Sequence, residues 1–93
     1  MTTMQRITII CHGRVQGVFY RDSTRKKALE LGLVGTVKNQ TDGTVQIVAE
    51  GDRKKLEALA QWAKQGPPAS NVSHLDISYE KPFGQYDRFE IDY

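Results

Sequence analysis

What most constrains this chain is a junction: a β-branched run over residues 5–12 passes through Gly13-Arg14-Val15-Gln16-Gly17-Val18-Phe19-Tyr20-Arg21 into a helical pattern over residues 21–31. A strand is thereby tied to a helix through a glycine-bracketed loop that ends on an arginine. Gly13 and Gly17 lack a Cβ, so the loop can turn sharply and bring backbone N–H groups close to a ligand. Those amides, together with the positive end of the following helix, suit an anion such as phosphate. Arg21, in the first turn, offers two donors in a planar fork that matches phosphoryl oxygens.

On the loop alone a plainer reading stands beside this one, because a tight turn also uses glycines and an arginine there can simply be solvated. Counting excludes the neighbouring motifs. The run has no Gly-x-x-x-x-Gly-Lys-Ser/Thr pattern, and Gly13-x-x-x-Gly17 lacks the Gly-x-Gly-x-x-Gly spacing of a dinucleotide site. A cysteine phosphatase needs an arginine six residues after its nucleophile, but Gly17 stands six after Cys11. Cys11 therefore reads as core.

The remaining elements follow from periodicity. Ile7, Ile9 and Cys11 alternate with Thr8, Ile10 and His12, which predicts a well-buried strand. Thr24, Ala28 and Leu31 fall on one stripe of the first helix, with Arg25, Lys26, Lys27 and Glu30 largely on another and Gly32 as its stop. Residues 34–38 and 44–49 form a hairpin around Asp42-Gly43. Gly51-Asp52 supplies a break and an N-cap for a second helix whose stripe is Leu56, Leu59, Ala60 and Ala63, ending at Gly66-Pro67-Pro68. Trp62 is expected to pack at that helix's edge. Residues 72–79 predict another strand, and Phe89, Ile91 and Tyr93 alternate with charged residues in a short last one. The order β-α-β-β-α-β plus a terminal strand matches an α+β, ferredoxin-like split βαβ sandwich, an antiparallel sheet with two helices on one face. Its first strand is central, but spacing alone does not settle whether Asn39 lies near the loop.

A chain of 93 residues makes one domain, 1–93, with a single two-layer core. A net charge of +2 with both signs scattered argues against a nucleic-acid stripe and is compatible with small anionic ligands. Arg25-Lys26-Lys27 reads as the wet face of a helix. One cysteine cannot close an intramolecular disulfide, and the absence of an apolar leader or a long apolar run makes the cytoplasm the expected compartment, with no membrane partner. No His, Cys and carboxylate cluster has metal-ligand spacing, so no metal is expected; His12 reads as a strand-end residue and His74 as a surface one. No exposed apolar stripe stands out, which predicts a monomer.

Gly13-Arg14-Val15-Gln16-Gly17-Val18-Phe19-Tyr20-Arg21 resembles the first signature of the acylphosphatases, Gly-x-Val-Gln-Gly-Val-x-Phe/Tyr-Arg, at every specified position. Gly35-Thr36-Val37-Lys38-Asn39-Gln40-Thr41-Asp42-Gly43-Thr44-Val45, with Gly51 after it, resembles the second, centred on Lys-Asn-x-x-x-Gly-x-Val. The resemblance spans the domain and implies the ferredoxin-like fold, cofactor-free hydrolysis of acyl phosphates, and inorganic phosphate as product and inhibitor. It assigns the cradle amides to Arg14, Val15, Gln16, Gly17 and Val18, the phosphate-binding arginine to Arg21 and the water-orienting asparagine to Asn39. Thr36 departs from the aromatic or larger apolar residue that relatives commonly carry, which bears on packing or on the acyl pocket near the second strand.

The assignment fits the chemistry. An acyl phosphate expels a carboxylate, a weak base that leaves without a general acid, so catalysis asks mainly for an aligned water and neutralised equatorial oxygens. Loop amides and Arg21 would do the second, and the Asn39 side-chain carbonyl the first. From another class, a ferredoxin-like module that holds phosphate or a phosphoprotein without turnover is the alternative. RNA binding on the sheet is weaker, because residues 5–12 and 44–49 carry no aromatics to stack on bases.

Overall fold

The computed structural model describes residues 3–93 in the order β1 (Met4–Arg14), α1 (Tyr20–Glu30), β2 (Val34–Asn39), β3 (Val45–Asp52), α2 (Arg53–Gln65), β4 (Asn71–Glu80) and β5 (Phe89–Ile91). The strands make one sheet in the order β4-β1-β3-β2-β5. β1 lies inside it, antiparallel to both β3 and β4, and β2 is antiparallel to β3. This is the ferredoxin-like arrangement that the element order implies.

Alternation along β1 decides which face is covered. Ile7, Ile9 and Cys11 are fully buried, whereas Thr8, Ile10 and His12 on the opposite face stay partly open. Val37 from β2 and Val45, Ile47 and Ala49 from β3 join the buried layer. Over it, α1 packs against β2 and β5, and α2 against β1, β3 and β4. The α2 stripe Leu56, Leu59, Ala60 and Ala63 is buried as the periodicity predicts. Leu56 and Leu59 have no exposure, and withdrawing each from water contributes about 2 kcal/mol. Trp62 lies half-buried at the edge, its ring 5.7 Å from that of Tyr20.

The structure corrects four details. β5 is parallel to β2, so the sheet is mixed rather than wholly antiparallel. The cause is the path of the chain: β4 ends beside the start of β1, with Glu80 opposite Arg6. The chain then crosses at that end and enters β5 at Phe89, opposite Gly35 near the start of β2. Glu50 of β3 holds the crossing segment by accepting hydrogen bonds from the N–H groups of Phe83 at 2.7 Å and Gly84 at 3.1 Å. Second, the buried stripe of α1 is Tyr20, Thr24 and Ala28, while Leu31 lies just past the helix and is only partly buried. Third, Asp52 stands before α2 without a side-chain capping bond, and the Arg53 N–H donates to the carbonyl of Thr3 at 2.8 Å. Fourth, Gly13 and Arg14 belong to β1, where they pair with Val72 and Asn71 beyond a register shift, so the loop proper begins at Val15.

Candidate active site

The loop between β1 and α1 alternates in a way that explains its shape. Val15 and Val18 are 1% and 4% exposed and anchor it to the core, while Gly17 and Phe19 face outward. Gly17 adopts a φ of 73° with open space where a Cβ would stand, so glycine is needed there for backbone conformation rather than for room. Among the described residues, none of the N–H groups of Gln16, Gly17, Val18 and Phe19 donates to a backbone carbonyl. They lead into the first turn of α1, whose own N–H groups have no intrahelical partner. Successive free donors at a helix N-terminus favour an anion.

A cavity of about 280 Å³ opens at this loop, lined by Val15, Gly17, Phe19, Tyr20, Arg21, Asp22, Asn39, Ile91 and Tyr93. Of the residues singled out in the sequence, Val15, Gly17, Arg21 and Asn39 are therefore brought together. Arg14, Gln16 and Val18 do not line it. Arg14 is exposed at the end of β1, and Val18 points into the core. The Gln16 side chain turns away and donates to the carbonyls of Gln40 at 2.9 Å and Thr44 at 2.8 Å, tying the loop to the β2–β3 turn. Asp42 closes that turn by accepting from the Thr44 N–H and hydroxyl, bonds that hold its carboxyl below the usual carboxylate range.

β2 settles the position of Asn39. Gly35 and Val37 are buried on the helix-facing side, and Asn39, two residues further on, shares that side at the strand's end, next to the start of α1. Its Oδ1 is buried and accepts no hydrogen bond from any described residue. Thr36 lies on the opposite face and does not line the cavity, so its departure from the second signature bears on sheet packing.

Five lining residues escaped the sequence argument: Phe19, Tyr20, Asp22, Ile91 and Tyr93. The alternation of Phe89, Ile91 and Tyr93 predicts a strand, but only the parallel docking of β5 on β2 brings that end of the chain to the loop. The Arg21 guanidinium lies 5.1 Å from the centre of the Tyr93 ring. Asp22 is engaged by Lys26 at 3.2 Å, one helical turn on.

Cys11 and Tyr20 behave as structure. Burial pushes the Cys11 thiol up to about 11, and the Tyr20 hydroxyl 3.4 Å away opposes this only in part. A thiol at that value is protonated at neutral pH and is a poor nucleophile. Burial, then the Cys11 sulfur, raises the Tyr20 phenol, whose proton goes to the carbonyl of Ala63 at 2.7 Å. No helix among the described residues is long and apolar enough to cross a membrane.

Two helices on one face of a mixed sheet, with a glycine-turned and arginine-lined cavity where the first helix begins, define a ferredoxin-like α+β protein. The acylphosphatase family model matches residues 7–91. An acylphosphatase from Pelotomaculum thermopropionicum is 44% identical over 92% of this chain and 94% of its own. One from Acaryochloris marina is 51% identical over 88% and 87%. The crystal structure of an acylphosphatase from Bacillus subtilis superposes with a TM-score of 0.92 at 36% identity, covering 96% of this chain and 99% of the other. The chain belongs to the acylphosphatase family.

Proposed function

We propose that this chain hydrolyses the carboxyl–phosphate bond of acyl phosphates, working as a cytoplasmic, single-domain monomer without a metal or cofactor. The phosphoryl group lies against the free amides of the loop, and the Arg21 fork neutralises its equatorial oxygens. A water molecule held by Asn39 attacks phosphorus in line with the leaving group. The new bond joins the water oxygen to phosphorus, and the bond from phosphorus to the carboxylate oxygen breaks. The electron pair leaves with the carboxylate, and the water proton passes to solvent or to a phosphate oxygen. A carboxylate departs as a weak base, so the step requires no protonating side chain, and the mechanism is alignment and charge neutralisation.

One observation carries this reading: the cavity that holds Arg21 also holds Asn39, whose buried Oδ1 has no partner in the protein. A buried acceptor left unpaired costs about 1–3 kcal/mol. An amide oxygen without a protein donor is an acceptor for a water molecule in the cavity that Asn39 lines. The discriminating experiment follows turnover of acetyl phosphate with inorganic phosphate as competitor. Hydrolysis with competitive inhibition is expected, together with a rise in melting temperature on adding phosphate. Phosphate binding without turnover would leave a binding module instead.

A further inference from the structure

Glu50 is a buried carboxylate, 4% exposed, to which the reaction assigns no part. It follows Ala49 in β3 and so points to the face of the sheet away from the helices. There its two oxygens accept from the N–H groups of Phe83 at 2.7 Å and Gly84 at 3.1 Å, and the Arg6 guanidinium approaches at 3.4 Å. Arg6 in turn lies 3.9 Å from the centre of the Phe83 ring. Both members of the ion pair thus grip the segment that joins β4 to β5. Between Pro82 and Asp87 no backbone–backbone hydrogen bond is made among the described residues, so the clamp supplies what secondary structure does not.

What the segment delivers is β5, a strand of three residues, Phe89–Ile91. Burial of Phe89 fixes which side faces the core and rejects a slip of one residue, which would turn Phe89 outward. A slip of two keeps that alternation and moves the strand end by about 6.6 Å. So short a ladder opposes such a slip weakly, whereas a clamp that sets the length of free chain before Phe89 opposes it directly. Beyond β5 the Asp92 N–H donates to the carbonyl of Val37 at 2.9 Å, and Tyr93 reaches the cavity, its ring centre 5.1 Å from the Arg21 guanidinium.

We propose that Glu50 is a positioning residue for the site: its clamp on Phe83 and Gly84 fixes the register of β5 on β2 and thereby holds Tyr93 beside Arg21. The inference rests on the acyl-phosphate reading of the cavity, but binding of inorganic phosphate reads it without turnover. A glutamate is required because both of its oxygens accept, whereas a glutamine amide presents one acceptor and turns a donor toward the second N–H.

The test measures phosphate affinity and acetyl phosphate kinetics in the wild type, Glu50→Gln, Tyr93→Ala, their double replacement, and a chain with one glycine inserted after Gln85, each held well below its own melting temperature. The insertion lies in exposed chain and leaves the Glu50 side chain and its partners in place while freeing the register. Glu50→Gln and the insertion are each expected to weaken phosphate binding and raise KM by about three- to ten-fold, the size of one lost cation–ring contact. Added to Tyr93→Ala, Glu50→Gln should cost nothing further, because residues that act through one contact are not additive. Wild-type phosphate affinity in a folded Glu50→Gln, or in the insertion, would overturn the proposal and leave Glu50 a support of the fold alone, and so would losses that multiply in the double replacement. Should Glu50→Gln not fold, the insertion decides. A wild type that binds phosphate without turning over acetyl phosphate would overturn the catalytic reading, and the clamp is then read from phosphate affinity.

Discussion

The Gln16 side-chain amide reaches from the β1–α1 loop to the carbonyl of Thr44, 2.8 Å away, and its second N–H donates to Gln40 at 2.9 Å. One side chain thereby couples the loop to the turn that follows Asn39. Replacing Gln16 by Ala removes two hydrogen bonds and is expected to cost about 2 kcal/mol of stability, read by urea unfolding. Loop and Asn39 would then be positioned independently, so turnover of acetyl phosphate should fall further than phosphate affinity. Equal losses in both would show that Gln16 merely supports the loop.

Arg21→Lys keeps the charge and loses the planar two-donor fork. The phosphoryl group is anionic before as well as during reaction, so weaker substrate binding and slower turnover are both expected. Steady-state kinetics with phosphate inhibition on the same preparation measure the two effects. Unchanged values would remove Arg21 from the site.

Asn39→Ala separates water orientation from phosphate binding. Loss of a positioned hydrogen-bonding group costs on the order of 10²-fold or more in kcat. The variant should still melt cooperatively and bind phosphate, because the proposed mechanism assigns its missing atoms to the attacking water rather than to the phosphoryl group. Near-normal kcat would exclude the role, and loss of folding would mark the residue as structural.

On the open face of the sheet, His12 and His74 stand opposite each other across β1 and β4, and both contact the Asp76 carboxylate, at 2.9 and 2.7 Å. Those two bonds hold the Asp76 carboxyl below its ordinary value, first through His12 and then through His74. A carboxylate whose folded pKa is depressed stabilises the fold above its unfolded pKa of about 3.9, and that contribution disappears as pH falls through the lower folded value. The melting temperature of wild type should therefore exceed that of Asp76→Asn at pH 5, with the gap closing below pH 3. The effect is small, because Asp76 is exposed and solvent screens it. A gap that persists unchanged at acid pH would assign it to something other than this carboxylate.

Local pattern was enough for much of this architecture. Alternation in β1 and the stripe of α2 are one-dimensional signals, and the residues they mark, from Ile7 to Ala63, are those that the sheet and helix bury. Gly17 and Arg21 were legible for a similar reason, since a strand–loop–helix junction brings them together whatever the rest of the chain does. Asn39 reaches the same cavity only through β2 lying two places from β1 in the sheet, a relation that local periodicity does not carry. Its assignment as a site residue rests on the motif around it. Ile91 was legible as a strand residue but not as a cavity residue, and Tyr93, expected in the same strand, lies two residues past its end; the edge that β5 joins depends on the crossing segment held by Glu50. Tyr20 was overlooked as a core residue because it precedes the visible stripe, and its phenol is accommodated by a partner 43 residues away.

The strand order has a kinetic consequence. β1 has no neighbour in the sheet that is close to it in sequence: its partners run from Val45 to Asp52 and from Asn71 to Glu80. Closing such distant pairs must overcome chain entropy before the contacts that reward it exist, so folding is governed by a late, collective search. Gly17, Asn39 and Tyr93 belong to three widely separated stretches that converge only when that search ends. After dilution from denaturant, hydrolytic activity should therefore return in the same phase as the sheet, with no active partly folded species preceding it.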